Sequence, residues 1–273
     1  RLNEIMNQRS EIIDKEESEV QELKGGITFN NLVFSYPDTS EDVLKGISAE
    51  IAPGDVVGIL GRTGAGKTTL LNLLLRLYNV EPGMIKLDGV NIEDIPLETL
   101  RQNIGYVPQD SFLFSSSIKE NIDFANTDSG LDKVTEYAKI AQVYDNIIEF
   151  PQQFETVVGE RGVTLSGGQK QRISIARALI KEPQILILDD SLSAVDTETE
   201  EAILNNLREI FPGRTVIIVS HRISTIQDAN QILVLEDGGI SQRGTHEELV
   251  KTDGLYKELY QKQLLEKQID SVS

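Results

Sequence analysis

The chain has 273 residues, 39% hydrophobic and 26% charged, the composition of a globular protein long enough to bury a sizeable core. It contains no cysteine, which excludes disulfides and thiolate metal sites and fits a reducing compartment. A net charge of −18 repels nucleic-acid phosphates and anionic lipid, so nucleic acid is not expected as a partner. No apolar run approaches the roughly 20 residues that span a bilayer, and no signal peptide opens the chain.

Residues 1–24 (RLNEIMNQRSEIIDKEESEVQELK) are charged, with sparse apolar positions and neither Gly nor Pro. They read as a solvated helix or extended linker, and the boundary expected here is a linker over 1–25 and a domain over 26–273. Gly25-Gly26 breaks the pattern, and Ile27–Phe34 and Ile47–Ile51 then read as antiparallel strands. Asp55–Leu60 is a buried strand by its β-branched run, and Gly66–Leu77 reads as a helix. Ile104–Val107, Ile185–Leu188, Thr215–Val219 and Gln231–Leu235 are further short apolar runs. Hydrophobic strands separated by helices predict an α/β fold with a mainly parallel core sheet covered on both faces, beside an antiparallel β subdomain.

Between Asp110 and Ser166 the strand signal disappears. Ser117–Phe124, Leu131–Ala141 and Tyr144–Phe150 read as helices, predicting a helical subdomain over about 110–182. Thr197, with Glu200 three residues on, reads as the N-cap of a helix running to about Ile210. From Thr245 the tail is helical and charged, with His246 expected on the surface.

GRTGAGKT, Gly61–Thr68, fits G-x-x-x-x-G-K-[ST] and lies between a predicted strand and a predicted helix. An anion needs inward-pointing backbone N–H groups, and side chains on the turn would block its approach, hence Gly61, Gly64 and Gly66. Arg62, Thr63, Ala65 and Thr69 complete the candidate cradle. Lys67 can reach the β- and γ-phosphates and the Thr68 hydroxyl can bind Mg²⁺. This is a P-loop NTPase pattern, and it predicts a bound nucleoside triphosphate. Asp189 ends the apolar strand Ile185–Leu188, where ligands of open α/β sheets gather, and can hold Mg²⁺ through water.

LSGGQKQR, Leu165–Arg172, precedes a helical run and makes another anion site, which one cradle does not explain. Together with Gly61–Thr68, ILILD and a later SH, in this order and spacing, it resembles the nucleotide-binding domain of ATP-binding cassette (ABC) transporters over roughly residues 27–260. The resemblance implies the ABC type of P-loop fold, ATP and Mg²⁺ as ligands, and two such domains dimerising head to tail. Ser166, Gly167, Gly168 and Gln169 would then serve a partner's nucleotide. It further implies that Tyr36 stacks on adenine and that Gln109 links Mg²⁺ to the transmembrane partner. His221 would contact the γ-phosphate, and Asp196 would lie along the dimer seam. TVVGERG, Thr156–Gly162, looks like the exporter segment that touches the coupling helices, with Glu160 its central acid. RLNEIMN looks like the end of a last transmembrane helix. The implied partners are therefore a transmembrane domain of the same polypeptide and a second nucleotide-binding domain, at the cytoplasmic face of the membrane.

The family normally places Glu directly after the metal-binding Asp, as the residue that activates or positions water. This chain has Asp190. Its basicity is similar, but one methylene fewer retracts the carboxylate by roughly 1.3 Å, against a required contact of about 2.6–3.2 Å. With an intact LSGGQ, the pattern resembles the degenerate-site half of heterodimeric bacterial multidrug exporters. Catalytic roles are implied for Asp190, His221 and Gln109. The alternatives are a fully active homodimeric exporter, an importer ATPase, or a soluble cassette protein acting on DNA or ribosomes.

Overall fold

In chain order the elements begin with β1 (Ile27–Phe34), β2 (Leu44–Ile51), β3 (Val56–Gly61) and α1 (Lys67–Leu74). These are followed by β4 (Ile85–Leu87), β5 (Val90–Asn91), α2 (Leu97–Asn103) and β6 (Ile104–Val107). Three helices come next, α3 (Ile118–Ile122), α4 (Gly130–Ile140) and α5 (Tyr144–Ile148), and then α6 (Gly167–Leu179). The chain continues with β7 (Ile185–Asp189), α7 (Thr197–Ile210), β8 (Thr215–Val219) and α8 (Ile223–Ile226). It closes with β9 (Gln231–Glu236), β10 (Gly239–Gly244), α9 (His246–Leu249) and α10 (Leu255–Asp270). The computed structural model describes residues 12–14, 20, 22–37, 39–125, 128–159 and 162–270. Most of the linker expected over 1–25, and Glu160 of TVVGERG, lie outside the described residues.

The larger sheet has the order β10-β9-β3-β8-β7-β6, in which every pairing except β10 with β9 is parallel. A second sheet, β2-β1-β4-β5, is antiparallel throughout. Successive side chains on a strand point to opposite faces, and here each face feeds its own core. Leu186, Leu188, Val216 and Ile218 join the helical core that includes Val134, Ile173 and Leu207. Ile185, Ile187, Ile217 and Val219 join the core shared with the antiparallel sheet and α1. Strands buried on both faces need the continuous apolar runs that the sequence carries, each such side chain contributing about 1.5–3 kcal/mol.

Two helix ends and the placement of His246 differ from expectation. Helix α1 stops at Leu74, three residues early, because Arg76 takes a left-handed φ of 50°. That turn buries its guanidinium, which donates to the carbonyls of Ile95 at 2.9 Å and Ile13 at 2.8 Å. Helix α7 is capped by Asp196 and not by Thr197; the Asp196 carboxylate accepts the Thr199 N–H at 2.9 Å. Glu200, freed from the capping role, is buried beneath α8. His246 is half-buried, bonded to the Tyr256 hydroxyl at 2.7 Å. Strands β4, β5 and β10 were too short or too polar to read by periodicity.

Asp88 fixes where the chain joins the antiparallel sheet. Its carboxylate accepts the backbone N–H groups of Lys24 at 2.6 Å, Gly25 at 3.3 Å and Gly26 at 2.8 Å. Replacing Asp88 with Ala should release these donors to water and lower the unfolding free energy by about 0.5–1.5 kcal/mol in urea titration, with ATP affinity unchanged.

Candidate functional site

The turn from β3 into α1 forms the cradle. A Cβ on Gly61 would lie 2.5 Å from the carbonyl oxygen of Leu235, and one on Gly66, at φ 97°, would lie 2.6 Å from Leu44. Only glycine fits either place. Gly64, at φ 84°, faces open space, so it is the backbone conformation that requires glycine there. Arg62, Thr63, Gly64 and Thr68 are exposed, whereas Ala65, Lys67 and Thr69 are buried. The Lys67 ammonium donates to the carbonyls of Gly61 at 2.7 Å and Arg62 at 3.1 Å, so a positive charge sits inside its own loop. Burial pulls its pKa down, and the nearby Asp190 and Asp189 carboxylates oppose that shift.

Tyr36 reaches this helix from the loop after β1. Its hydroxyl lies 3.0 Å from the Thr69 hydroxyl, and its ring meets Phe34 and Tyr78 edge to face at 5.1 and 5.2 Å. The aromatic is held half-buried beside the cradle.

Asp189, at the end of β7, accepts from the Tyr106 hydroxyl at 3.3 Å. Burial raises the Asp189 pKa most, and the bond from Tyr106 and the attraction of Lys67 work against that. Burial likewise raises the Tyr106 pKa, together with the adjacent Asp189 charge, so the phenol remains a donor. Tyr106 was not found from sequence, although a phenol in the otherwise apolar strand IGYV was the available signal.

Asp190 is buried and takes a left-handed φ of 42°. Its N–H donates to Val219 O at 2.9 Å. Both carboxylate oxygens are occupied: Oδ1 accepts the His221 backbone N–H at 3.1 Å, and Oδ2 lies 3.0 Å from His221 Nε2. His221 is half-exposed. Gln109, Asp190 and His221 line one cleft of about 110 Å³, with Ser193 and Glu200 on its wall. The structure thus gathers the three residues for which catalytic roles were expected.

The segment Ser166–Gln169 lies at the start of α6 as a reciprocal cap. Ser166 Oγ accepts the Gln169 N–H at 3.2 Å, and Gln169 Oε1 accepts the Ser166 N–H at 2.9 Å. A Cβ on Gly168 would stand 2.9 Å from Ala194 O, so this turn is packed against the loop after Asp190. Gln171, missed by sequence reasoning, holds that packing. Its Oε1 accepts the Ala194 N–H at 3.0 Å, while Nε2 donates to Ser193 Oγ at 3.2 Å and lies 3.5 Å from Gln109 O. One buried amide therefore ties together the loops of Gln109 and Asp190 and the capped turn. Its place in the helical run QKQR carries no sign of this role.

Asn121, fully buried, fixes the loop after Gln109 by exchanging bonds with the Phe114 backbone at 2.9 and 3.0 Å. Arg177 donates to Phe112 O, Asn121 O and Asn121 Oδ1, and lies over the Phe114 and Phe124 rings at 5.7 and 5.6 Å. Burial draws its pKa down to about 10. The result is a rigid outward patch, with Phe112 66%, Phe124 53% and Phe114 38% exposed. The segment Thr156–Val158 is laced to it through Ile118 N–H to Thr156 O and Val158 N–H to Ser116 O, both 3.0 Å.

Among the described residues no cluster of three or more His, Cys, Asp or Glu side chains could by itself hold a metal. The available donors, the Thr68 hydroxyl and one strand-end carboxylate, suit an ion that completes its shell with phosphate oxygens and water, as Mg²⁺ does.

The sequence pattern of the ABC transporter family matches residues 44–193. A probable multidrug resistance ABC transporter ATP-binding/permease protein of Bacillus subtilis, YheI, is 46% identical over 265 residues, covering 97% of this chain and 45% of that protein. Human ATP-binding cassette sub-family B member 6 is 43% identical over 258 residues, covering 91% of this chain and 30% of that protein. A solved bacterial Atm1-family ABC exporter with ATP bound matches with a TM-score of 0.91 at 41% identity, over 96% of this chain and 46% of that one. The chain spans less than half the length of these relatives. Since the family pattern runs from β2 through the cradle and the capped turn to Ser193, and the whole fold is shared with a solved exporter, this chain belongs to the ABC transporter family and carries its ATPase domain.

Proposed function

We propose that this chain is the ATP-driven motor of an exporter, and that its own nucleotide site hydrolyses slowly while its Ser166 turn completes the site of a second, non-identical domain. The similarity to an ATP-binding/permease protein and to a solved exporter supports the export reading. The single observation carrying the asymmetric reading is that both Asp190 oxygens are engaged by His221.

The backbone N–H groups of Gly61–Gly66 bind the triphosphate, and Lys67 exchanges two carbonyl acceptors for anionic phosphate oxygens. Tyr36 presents its ring to the base. Thr68, Asp189 and Gln109 would hold Mg²⁺, Asp189 through water. Bound there, Mg²⁺ neutralises charge building on the β- and γ-oxygens. A general base must approach its water to about 2.6–3.2 Å, and a carboxylate held at 3.1 and 3.0 Å by a neighbouring residue's N–H and imidazole is diverted from that task.

The membrane-spanning part of the same polypeptide covers the Phe112, Phe114 and Phe124 patch. Exposed aromatics anchored this firmly mark an interaction surface, and the patch adjoins both the Gln109 loop and Thr156–Val158. Among the described residues no helix is long and apolar enough to cross a membrane. This assembly sits at the cytoplasmic membrane face.

Lys67→Ala should weaken ATP binding at least about ten-fold, or 1.4 kcal/mol, in calorimetric titration. In the assembled transporter, Ser166→Arg should abolish most ATP hydrolysis, whereas Asp190→Asn should leave the rate within about two-fold. Ser166→Arg also removes a helix cap worth about 1 kcal/mol, so the assay belongs well below the melting temperature. Equal large losses from both substitutions would rule out the asymmetric arrangement.

A further inference from the structure

The C-terminal helix α10 grips the backbone on both sides of Arg222. Gln263 Nε2 donates to His221 O at 2.7 Å, and Gln263 Oε1 accepts the Ile223 N–H at 2.9 Å. Only one orientation of the amide satisfies both partners, so the side chain is fixed. These contacts join residues 40 and 42 positions apart in sequence.

Ser220–Thr225 is also held by Glu200 of α7, by Asp190 just after β7, and by β3, where Ile59 O accepts the Ser220 N–H at 3.3 Å. Arg222 pairs with the buried Glu200, Thr225 Oγ1 donates to Glu200 Oε1 at 2.8 Å, and His221 meets Asp190. Helix α10 also meets the cradle, through Arg62 and Glu258 at 3.5 Å, but that pair is exposed on both sides and weak. Gln263 is therefore the specific link between α10 and the nucleotide site.

We infer that Gln263 is a positioning residue: by clamping the peptide groups on either side of Arg222 it sets where the His221 imidazole stands against Asp190 and the γ-phosphate position. This rests on the proposed role of His221, and it makes the last helix of the chain part of the site's alignment. Misplacing a group that meets the reacting phosphate by a fraction of an ångström lowers turnover without changing binding of the rest of ATP.

The chain has two histidines, so the Cε1–Hε1 region of a ring ¹H–¹³C spectrum gives one resonance for His221 and one for His246. His246 is bonded to Tyr256 on the same helix and reports whether α10 stays docked. In Gln263→Leu the His221 resonance should shift while that of His246 stays. In this chain paired with itself, where every site carries Asp190 and His221, ATP turnover should fall about ten-fold from its slow parent rate, with KM for ATP within two-fold of the parent. Gln261→Leu, an exposed change on the same helix, should alter neither reading. Both resonances moving would mean that α10 has simply detached; neither moving, or unchanged turnover with His221 displaced, would mean that Gln263 does not position the site. Any of these overturns the inference. Absence of ATP hydrolysis in the assembled parent would instead count against the proposed function.

Discussion

Two contacts from one residue to one carboxylate, a backbone hydrogen bond and an imidazole nitrogen 3.0 Å away, join the two strand ends of the nucleotide site. The His221 backbone N–H and Nε2 occupy the two oxygens of Asp190, whose own N–H is spent on Val219. Asp190 is buried in a left-handed conformation, a backbone state that costs free energy in a residue with a Cβ. The acid is thereby wedded to β8 and the loop that follows it.

On the proposed reading, that arrangement would convert a small difference in side-chain length into a difference in role. An Asp one methylene short of Glu bridges neatly to the adjacent strand end. Lys67 lies close enough to Asp189 and Asp190 for both to act on its charge, so the cradle and the strand ends form one electrostatic unit. The amide of Gln171 connects that unit to the Ser166 turn, and Gln109 O lies at the edge of its reach. A push on the Phe112 patch has a short physical route to the cleft, through the loop that Asn121 and Arg177 stiffen.

Most of the architecture was legible in the sequence because strands buried on both faces must be apolar without interruption. Ile185–Leu188 and Thr215–Val219 could be read directly, and the glycines of the cradle announce themselves because a Cβ there collides with Leu235 or Leu44. Strands such as Val90–Asn91 were illegible because two residues carry no periodicity. Asp196 displaced Thr197 as cap because either side chain can accept the same kind of N–H, and only the local backbone decides. Tyr106, Gln171 and Gln263 escaped notice for a common reason. Each acts through side-chain polar atoms on residues far away in the chain, and nothing in the neighbouring residues records that meeting.

The most direct test of the bound carboxylate is steady-state ATP hydrolysis by this chain paired with itself, in the parent and in Asp190→Glu. Such a pair has two intact Ser166 turns, so the side chain at 190 is the limiting feature of each site. A longer carboxylate freed towards water should raise turnover by about 10²-fold, from a slow parent rate, with ATP affinity unchanged. A parent that already turns over briskly, with Asp190→Glu no faster, would contradict the account.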